Sequence, residues 1–440
     1  MRANWEETVI GVLLERDGGE LQTGPFGTKL KAAEYTKHGV PVISVGEIGR
    51  GRILLHDDTP RVDDSVTSRM PEYLLDAGDI VFGRKGAVER SAWIRPHQAG
   101  WFTGSDAIRL RLPSTCDARF IAYQLQTPAH RSWMIQHAAG STMASLNEGI
   151  IRRIPIVLPP RDEQEDITSV LSSLDDKIDL NTRMNETLEA MAHAVFKDWF
   201  VDFGPSHAKA EGLPAYLSNE LWALFPNNLD GEGKPEGWDS SEIGKEARCV
   251  GGSTPSTADT DLWNGGVFWA TPKDLSRLNA PVLLSTERTI SQKALDKISS
   301  GLLPVGSVLL SSRAPIGYLA IAEVPVAINQ GFIALIPEGR LSNIFLWQWV
   351  IANMDAIHQK ANGSTFQEIS KANFRPLPVL VPAAPVLKQF DEIARPLYER
   401  IRDNEIETRS LVALRDFLLP KLLSGEILLK DAENKIEEAL

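Results

Sequence analysis

The sequence predicts an α+β protein in which two similar α/β domains are separated by two long helices that pair as an antiparallel coiled coil. Three observations support this prediction. The 440 residues contain a repeat with a period of about half the chain, a long heptad pattern follows each copy, and a segment rich in glycine and proline lies between the halves. A chain of this length is too long for one compact core, so that two or three domains are expected.

The repeat consists of short motifs that recur at offsets of 223 and 228 residues. The matching pairs are Gly140-Ser141-Thr142 with Gly363-Ser364-Thr365, Ile154–Pro159 with Leu377–Pro382, Leu74–Val81 with Leu302–Leu309, and Gly24 with Gly252. A difference of five residues between the offsets indicates a difference in loop length. The period is too long for a solenoid and indicates a duplicated domain.

Each copy has a mixed hydrophobic pattern. Short apolar or alternating runs predict strands at 40–43, 79–82 and 107–112 in the first copy and at 267–270, 307–310 and 332–336 in the second. Helical spacing is found at 117–138 and 341–361. Pro41 is expected at the start or edge of its strand, because proline cannot donate to a strand ladder.

A heptad pattern follows each copy. The first seam is Ile167, Leu171, Leu174, Ile178, Asn181, Asn185, Leu188, Ala192, Val195 and Trp199, and the second lies 223 residues later, from Phe390 to Leu422. A helix of about 36 residues is about 54 Å long, and two such seams in one chain predict a coiled coil. Asn181 and Asn404 are expected to fix its register, and Pro396 to kink the second helix.

The predicted order is domain, helix, linker, domain, helix. The boundaries are 1–160 for the first domain, 161–203 for the first helix, 204–237 for the linker, 238–382 for the second domain, 383–425 for the second helix and 426–440 for a C-terminal tail. Asp162 and Glu165 form a pattern typical of a helix start just after Pro159-Pro160.

Composition excludes several classes of protein. The chain has no apolar run long enough for a membrane span, and Cys116 and Cys249 are too few for a disulfide framework or a zinc site. We therefore expect a cytoplasmic protein without membrane partners. The net charge of −12 comes from the helical and linking segments, whereas the two domains are near neutral and each can carry a basic face.

The predicted geometry suits DNA. Equivalent groove faces of a duplex recur every 34–36 Å or so, and a rod of about 54 Å is long enough to hold two domains at that spacing. Because the two domains differ in sequence, they would recognise two different short half-sites. The expected target is therefore a split, asymmetric DNA site whose spacer length is set by the helices.

The chain also resembles the specificity subunit of type I restriction–modification enzymes over nearly its whole length. The matching motifs, in order, are Leu21–Gly27, Leu75–Ile80, Leu158–Pro160 with Glu163-Gln164, Asp198–Phe203, Pro235–Trp238, Trp269–Leu275 and Leu419–Gly425. The resemblance implies two target-recognition domains on double-stranded DNA, two methyltransferase (modification) subunits docked on the helices, and restriction/translocase subunits. It also implies that S-adenosylmethionine, ATP and Mg are bound by those partners, and that this chain needs no cofactor.

Candidate DNA contacts are hydroxyl, amide and basic side chains on glycine-rich loops, since such loops can approach the groove and the phosphates. In the first domain they are Thr28, Lys29, Arg84, Lys85, Thr103, Ser105, Ser141 and Thr142. In the second they are Ser253, Thr254, Ser256, Lys273, Ser312, Arg313, Asn329, Gln330, Ser364 and Thr365. Each loop also has a structural interpretation, as a hairpin tip, a solvated turn, a strand cap or a helix end.

Two other classes of function remain open from the residues alone. One is a non-enzymatic coiled-coil scaffold with two protein-binding domains. The other is a stand-alone endonuclease or fused methyltransferase, which is disfavoured because neither an amino-methyltransferase motif nor a phosphate loop is found in the sequence. His130 and His137 are seven residues apart and are better explained as structural or surface residues than as metal ligands. No catalytic or metal-binding residue is predicted.

Overall fold

The structure is a computed structural model that describes residues 5–27, 29–140, 142–363 and 367–437. The chain divides into two compact units. Unit 1 contains the residues up to 176 together with those from 410 onwards, and unit 2 contains residues 177–409. Each unit therefore holds one copy of the repeat and one segment of each long helix. The copy in unit 1 (residues up to 160) is called domain 1 below, and the copy in unit 2 (238–382) domain 2.

Domain 1 is built on three small sheets. Its strands are β1 (Glu6–Val9), β2 (Glu20–Thr23), β3 (Val40–Ile43), β4 (Arg61–Val62), β5 (Ile80–Gly83), β6 (Ser91–Trp93), β7 (Phe102–Thr103), β8 (Ala107–Arg111) and β9 (Pro155–Leu158). The main sheet has the antiparallel order β2-β8-β5-β6, a second has the order β4-β3-β7, and β1 pairs with β9. Within the second sheet β3 and β7 are parallel.

Domain 2 repeats this arrangement. Its strands are β10 (Asp239–Glu242), β11 (Arg248–Val250), β12 (Trp263–Ala270), β13 (Val282–Leu283), β14 (Arg288–Ile290), β15 (Val308–Ser312), β16 (Ile316–Ala322), β17 (Val326–Ile328), β18 (Phe332–Ile336) and β19 (Pro378–Val381). The sheets have the orders β11-β18-β15-β16-β13, β14-β12-β17 and β10-β19. Apart from the additional β13, each sheet has its counterpart in domain 1, which confirms the predicted pair of similar domains.

Short helices cover the sheets. In unit 1 they are α1 (Ile10–Asp17), α2 (Asp64–Arg69), α3 (Ala118–Gln126), α4 (Pro128–His137) and α5 (Glu148–Ile151). The long helix α6 (Arg161–Phe200) precedes α7 (Gly204–Ala210), α8 (Asn219–Leu224), α9 (Ile243–Glu246), α10 (Pro272–Leu275), α11 (Gln292–Leu295), α12 (Asn343–Ala352), α13 (Met354–Gln359) and α14 (Lys371–Phe374). The second long helix, α15 (Ala384–Leu423), is followed by α16 (Leu429–Glu437). Short 3-10 helices lie at Ala32–Glu34, Pro71–Tyr73, Pro96–Gln98 and Thr260–Leu262.

The two long helices, α6 and α15, each contain 40 residues and pair in opposite directions. In unit 2, Asn181 Nδ2 lies 3.4 Å from the backbone oxygen of Asn404, while further along α6 the ring of Phe196 meets that of Phe390. Later residues of α6 thus meet earlier residues of α15. The predicted antiparallel coiled coil is confirmed.

Some details differ from the sequence-based expectations. The helical stretch at 117–138 is two helices, because Thr127 is extended before Pro128. Pro41 lies in the central strand of its sheet, but it pairs only with β4, and the ladder to β7 begins at Val42. The predicted linker contains α7 and α8, and the predicted C-terminal tail contains α16. Pro396 lies inside α15, and the kink expected there stays a prediction.

Candidate nucleic-acid interface

Four loops of domain 1 meet at one end of its main sheet. Their described residues are 24–27 and 29 after β2, 84–86 after β5, 103–106 before β8, and 139–140 with 142–146 before α5. Backbone hydrogen bonds join them: the Arg84 nitrogen donates to the Asp106 oxygen (2.9 Å), and the Leu146 nitrogen donates to the Arg84 oxygen (2.8 Å). Lys85 forms a β-bridge with Ser145. These four loops are called the loop face of domain 1.

Domain 2 has the same loop face, whose described residues are 252–256, 312–314, 329–331, 361–363 and 367–369. The Ser312 nitrogen donates to the Gly331 oxygen (2.8 Å), and the Ile369 nitrogen donates to the Ser312 oxygen (3.0 Å). Arg313 forms a β-bridge with Glu368. Each of these contacts reproduces one in domain 1, so that the backbone of the two faces is equivalent.

In each loop face, one glycine allows another backbone segment to approach closely. A Cβ on Gly24 would lie 1.8 Å from the oxygen of Gly104, and a Cβ on Gly252 would lie 1.7 Å from the oxygen of Ile328. Neither distance leaves room for a side chain. The recurrence of these glycines in the sequence is explained by this close approach of two loops.

Basic side chains of the domain 1 face lie beside aromatic rings and one carboxylate. The Arg84 guanidinium carbon is 4.7 Å from the centroid of the Phe26 ring. Lys85 Nζ is 3.3 Å from an oxygen of Asp106. Lys29 Nζ donates a hydrogen bond to the Tyr73 hydroxyl (3.0 Å), and this contact raises the pKa of Lys29.

The side chains of the domain 2 face form a different set. The Thr254 hydroxyl donates to the Gln330 side-chain oxygen, and Asn329 Oδ1 accepts from the Gly331 nitrogen at 2.8 Å. Arg313 is paired with Glu368 at 3.6 Å, and Lys273 with Glu287 at 3.1 Å. The domain 2 face thus presents amide and hydroxyl groups, whereas the domain 1 face presents an arginine over a phenylalanine ring.

The structure divides the predicted contact residues into three groups. Those with an exposed or half-buried side chain are Lys29, Arg84, Lys85, Ser105, Thr142, Ser253, Thr254, Ser256, Lys273, Arg313, Asn329 and Gln330. Thr103 and Ser312 are buried, with exposed fractions of 1% and 3%, so their side chains do not reach the surface of the face. Thr28, Ser141, Ser364 and Thr365 lie outside the described residues.

The sequence analysis missed one basic residue. Lys371 is exposed at the start of α14, and its Nζ would be 3.5 Å from a Cβ on Gly251, beside the loop at 252–256. The equivalent residue of domain 1 is Glu148, whose carboxylate accepts hydrogen bonds from the nitrogen and the hydroxyl of Thr23 at 3.1 and 3.0 Å. The offset of 223 residues between Lys371 and Glu148 was the available signal.

A second missed residue is Tyr35, on the segment that follows loop 24–29. Partial burial raises the pKa of its hydroxyl, and the negative charge of Asp106 raises it further. Asp106 is the carboxylate that pairs with Lys85, and 38% of Tyr35 is exposed.

Among the described ranges, no helix is long and apolar enough to cross a membrane. In the same part of the chain, no group of three or more histidine, cysteine, aspartate or glutamate side chains is arranged to hold a metal ion.

The duplicated loop faces and the long helices can be compared with known proteins. The family model described as the type I restriction modification DNA specificity domain matches residues 19–190 and 235–413. The chain belongs to this family. The two matched regions contain the two loop faces, so that each copy of the specificity domain has its own set of candidate DNA contacts.

Individual relatives agree with this membership. The chain is 26% identical over 339 residues to the Type I restriction enzyme HindI specificity subunit of Haemophilus influenzae, covering 67% of this chain and 73% of that protein. It is 35% identical over 181 residues to the Type I restriction enzyme MjaIX specificity subunit of Methanocaldococcus jannaschii, covering 39% and 41%.

A solved structure shows the same fold. The S subunit of a type I restriction-modification system from M. genitalium is 16% identical, covers 96% of both chains and has a TM-score of 0.55. As a specificity subunit of this family, the chain recognises DNA sequence.

Proposed function

We propose that the chain reads a split, asymmetric DNA site, with domain 1 on one half and domain 2 on the other. The observation that supports this proposal is the duplicated loop face, in which an equivalent backbone presents different side chains. A shared backbone frame gives both domains the same approach to a duplex. Different side chains on that frame give them different base preferences.

The side-chain differences fall at equivalent positions. Ser105 of domain 1 corresponds to Gln330 of domain 2, because the residues that follow them, Asp106 and Gly331, accept equivalent backbone hydrogen bonds. Glu148 corresponds to Lys371, because their backbone oxygens accept equivalent hydrogen bonds from Arg152 and Arg375. Gln can pair bidentately with adenine, whereas Ser bonds to several bases. The two half-sites are therefore not expected to have the same sequence.

The two long helices determine the spacer in this proposal. A helix of 40 residues, the length of both α6 and α15, extends about 60 Å at 1.5 Å per residue. Equivalent groove faces of B-form DNA recur about every 34–36 Å. We infer that the helical pair keeps the two loop faces at a fixed number of base pairs.

The chain itself is proposed to be non-catalytic and to direct adenine methylation and restriction by other subunits. Two modification subunits would bind S-adenosylmethionine, and restriction subunits would bind ATP and Mg. This division of labour is supported by the family membership and by the lack of methyltransferase and phosphate-loop motifs in the sequence. Double-stranded DNA is then the ligand that the chain binds directly.

Mapping methylated adenines in the host genome, with and without the chain, tests this function. We expect methylation at a split, asymmetric motif that disappears when the chain is removed and returns when it is restored. A chain carrying N329A and Q330A should change the preference in one half of the motif only. Methylation that does not depend on the chain would refute the proposal.

Binding of the purified chain to duplex DNA separates this function from the alternatives. Phosphate contacts release counterions, so affinity should fall steeply as salt rises. A protein-binding scaffold would show no such affinity. Methyl transfer by the pure chain incubated with S-adenosylmethionine and DNA would overturn its assignment as non-catalytic.

A further inference from the structure

Arg84 is held in place from several directions. It follows β5 between Gly83 and Gly86, and its backbone is tied on both sides by the hydrogen bonds with Asp106 and Leu146 described above. Its Nη1 donates to the backbone oxygen of Ser105 at 3.1 Å. Its guanidinium carbon lies 4.7 Å from the centroid of the Phe26 ring, and 55% of the Phe26 side chain is exposed. A flat cation is thus fixed at the surface of the loop face.

The remaining donors of Arg84 are available to a ligand. A guanidinium has five N–H donors, and among the described residues only the Ser105 oxygen accepts from that of Arg84. No carboxylate in that part of the chain lies within 4.0 Å of it. The neighbouring Lys85 is different, because its ammonium group is paired with Asp106 at 3.3 Å.

Domain 2 shows which of these two cations is common to both faces. The residue equivalent to Lys85 is Arg313, because the backbone of Arg313 forms a β-bridge with Glu368 as that of Lys85 does with Ser145. The residue equivalent to Arg84 is Ser312, which is buried. Both domains therefore have a cation at this position, Lys85 or Arg313, and in both domains it is paired with a carboxylate. The stacked arginine belongs to domain 1 alone.

This pattern separates two kinds of DNA contact. Phosphates are the same in every sequence, so a contact to phosphate is useful to both domains, and base contacts must differ between domains that read different sequences. An arginine with a fixed plane and free donors matches the two acceptors of guanine, O6 and N7. Stacking on an aromatic ring pre-organises that plane, which a lysine cannot reproduce.

We propose that Arg84, supported by Phe26, reads a guanine in the half-site recognised by domain 1, and that Lys85 and Arg313 contact phosphates in both half-sites. The inference rests on the proposed DNA-reading function and names the base that one residue recognises.

The test uses the full-length chain and a pool of random duplexes, from which bound sequences are selected and counted. The wild-type chain should select a split motif with an invariant G·C pair in one half. Arg84→Ala should abolish the preference at that pair, lowering discrimination by roughly 10-fold to 100-fold, as expected for one bidentate contact. The other half-site should stay unchanged.

Three further variants isolate the cause. Arg84→Lys keeps the charge but loses the planar fork, so it should keep most of the overall affinity while weakening the preference for guanine. Phe26→Leu should weaken the same preference partially. Lys85→Ala is the matched control, and it should lower affinity for all sequences alike and reduce the salt dependence of binding.

The outcomes are distinguishable. If the wild-type chain selects no motif, the proposed function itself fails. If it selects a motif but Arg84→Ala lowers affinity uniformly, Arg84 is a phosphate contact and this inference is wrong. Arg84→Lys, with a circular dichroism spectrum and a melting temperature like those of the wild type, guards against a loss caused by misfolding. A preference for guanine in Arg84→Lys as strong as that of the wild type would overturn the role assigned to the guanidinium plane supported by Phe26.

Discussion

Asn181 and Asn404 occupy equivalent positions of the two halves of the chain, and in unit 2 they contact each other inside the helical pair. Asn181 Nδ2 is 3.4 Å from the backbone oxygen of Asn404, and Asn404 Nδ2 donates to Asn185 Oδ1 at 2.8 Å. Both residues are almost fully buried, at 0% and 1% exposure. A polar layer in an apolar seam restricts the register at some cost in stability.

Asn404→Leu should therefore destabilise the chain by about 1–3 kcal/mol, because it leaves the buried side-chain oxygen of Asn185 on α6 without its donor. Asn185→Leu together with Asn404→Leu should cost less than the sum of the two single changes, since these two side chains share a hydrogen bond. The midpoints of urea unfolding for the two single variants and the double variant measure this coupling. Strictly additive effects would show that the two amides do not interact.

Asp175 joins the helices of unit 1 to domain 1. Its carboxylate accepts hydrogen bonds from Arg415 Nη1 on α15 (2.9 Å) and from the Tyr123 hydroxyl on α3 (2.6 Å). Asp175→Ala leaves the largely buried Tyr123 hydroxyl and one guanidinium nitrogen, Arg415 Nη1, without an acceptor, so we expect a loss of about 2–3 kcal/mol in the free energy of unfolding.

The neighbouring Asp176 provides the control for this prediction. Its side chain is 65% exposed and pairs with Arg119 at 3.1 Å, so Asp176→Ala should change the stability by less than about 1 kcal/mol. Thermal unfolding of both variants, followed by circular dichroism, makes the comparison. Equal effects of the two substitutions would contradict the role assigned to Asp175.

Glu189, on the unit 2 segment of α6, lines a cavity of about 420 Å³ together with apolar residues that include Leu278, Leu319 and Trp347. Burial, reinforced by the charge of Glu186, raises the pKa of Glu189 from 4.5 to about 7. The folded chain therefore binds a proton more tightly than the unfolded chain. Its stability should fall as pH rises from about 4.5 to about 7, and this contribution should be constant above that range.

Glu189→Gln should remove this dependence. The melting temperature of the variant should exceed that of the wild type at pH 8, whereas the two should be similar at pH 4. Glu186→Gln, at an exposed position of the same helix, should have a much smaller effect. A difference between Glu189→Gln and wild type that is the same at both pH values would exclude the buried carboxyl as its cause.

The elements with a regular hydrophobic period were predictable, and those defined by long-range pairing were not. The alternation at 107–112 predicts β8, and the heptads predict α6 and α15. By contrast, β4 and β7 contain two residues each, too few to show any period. Their positions depend on pairing with β3, a contact that no local pattern encodes.

The candidate interface was likewise predictable only where a local sequence pattern marks it. Glycines and basic residues marked the loops correctly, because close backbone approach needs glycine and the loops lie at strand ends. Thr103 was expected at the surface because it is polar, yet it lies in β7 and is buried. Lys371 was missed because its place beside the loop depends on how α14 packs, although its equivalence with Glu148 was visible in the repeat.

The close approach of Gly24 to Gly104 predicts how domain 1 responds to a single methyl group. A Cβ at position 24 would lie 1.8 Å from a backbone oxygen, so Gly24→Ala must displace one of the two loops. We expect weaker selection of one half-site and an unchanged preference at the other. Gly27→Ala, on the same loop, is the control, because nothing lies within 4 Å of its Cβ. Selection from random duplexes by both variants measures the effect.

The proposed role of the helices predicts how the spacer responds to their length. One heptad inserted into α6 and one at the facing position of α15 preserves both seams, and each insertion lengthens its helix by about 10 Å. With about 3.4 Å per base pair, the spacer between the half-sites should grow by roughly three base pairs. Neither half-site should change, because the loop faces are untouched.

Methylated-adenine mapping in a host that carries the lengthened chain measures the spacer length and the two half-site sequences in one experiment. Inserting the heptad into α6 alone is the matched control, since it shifts one seam against the other and should abolish specific methylation rather than lengthen the spacer. Should the doubly lengthened chain keep the original spacer, the separation would be set by something other than the helical pair. Altered half-sites would mean that the helices also position the loops that contact bases.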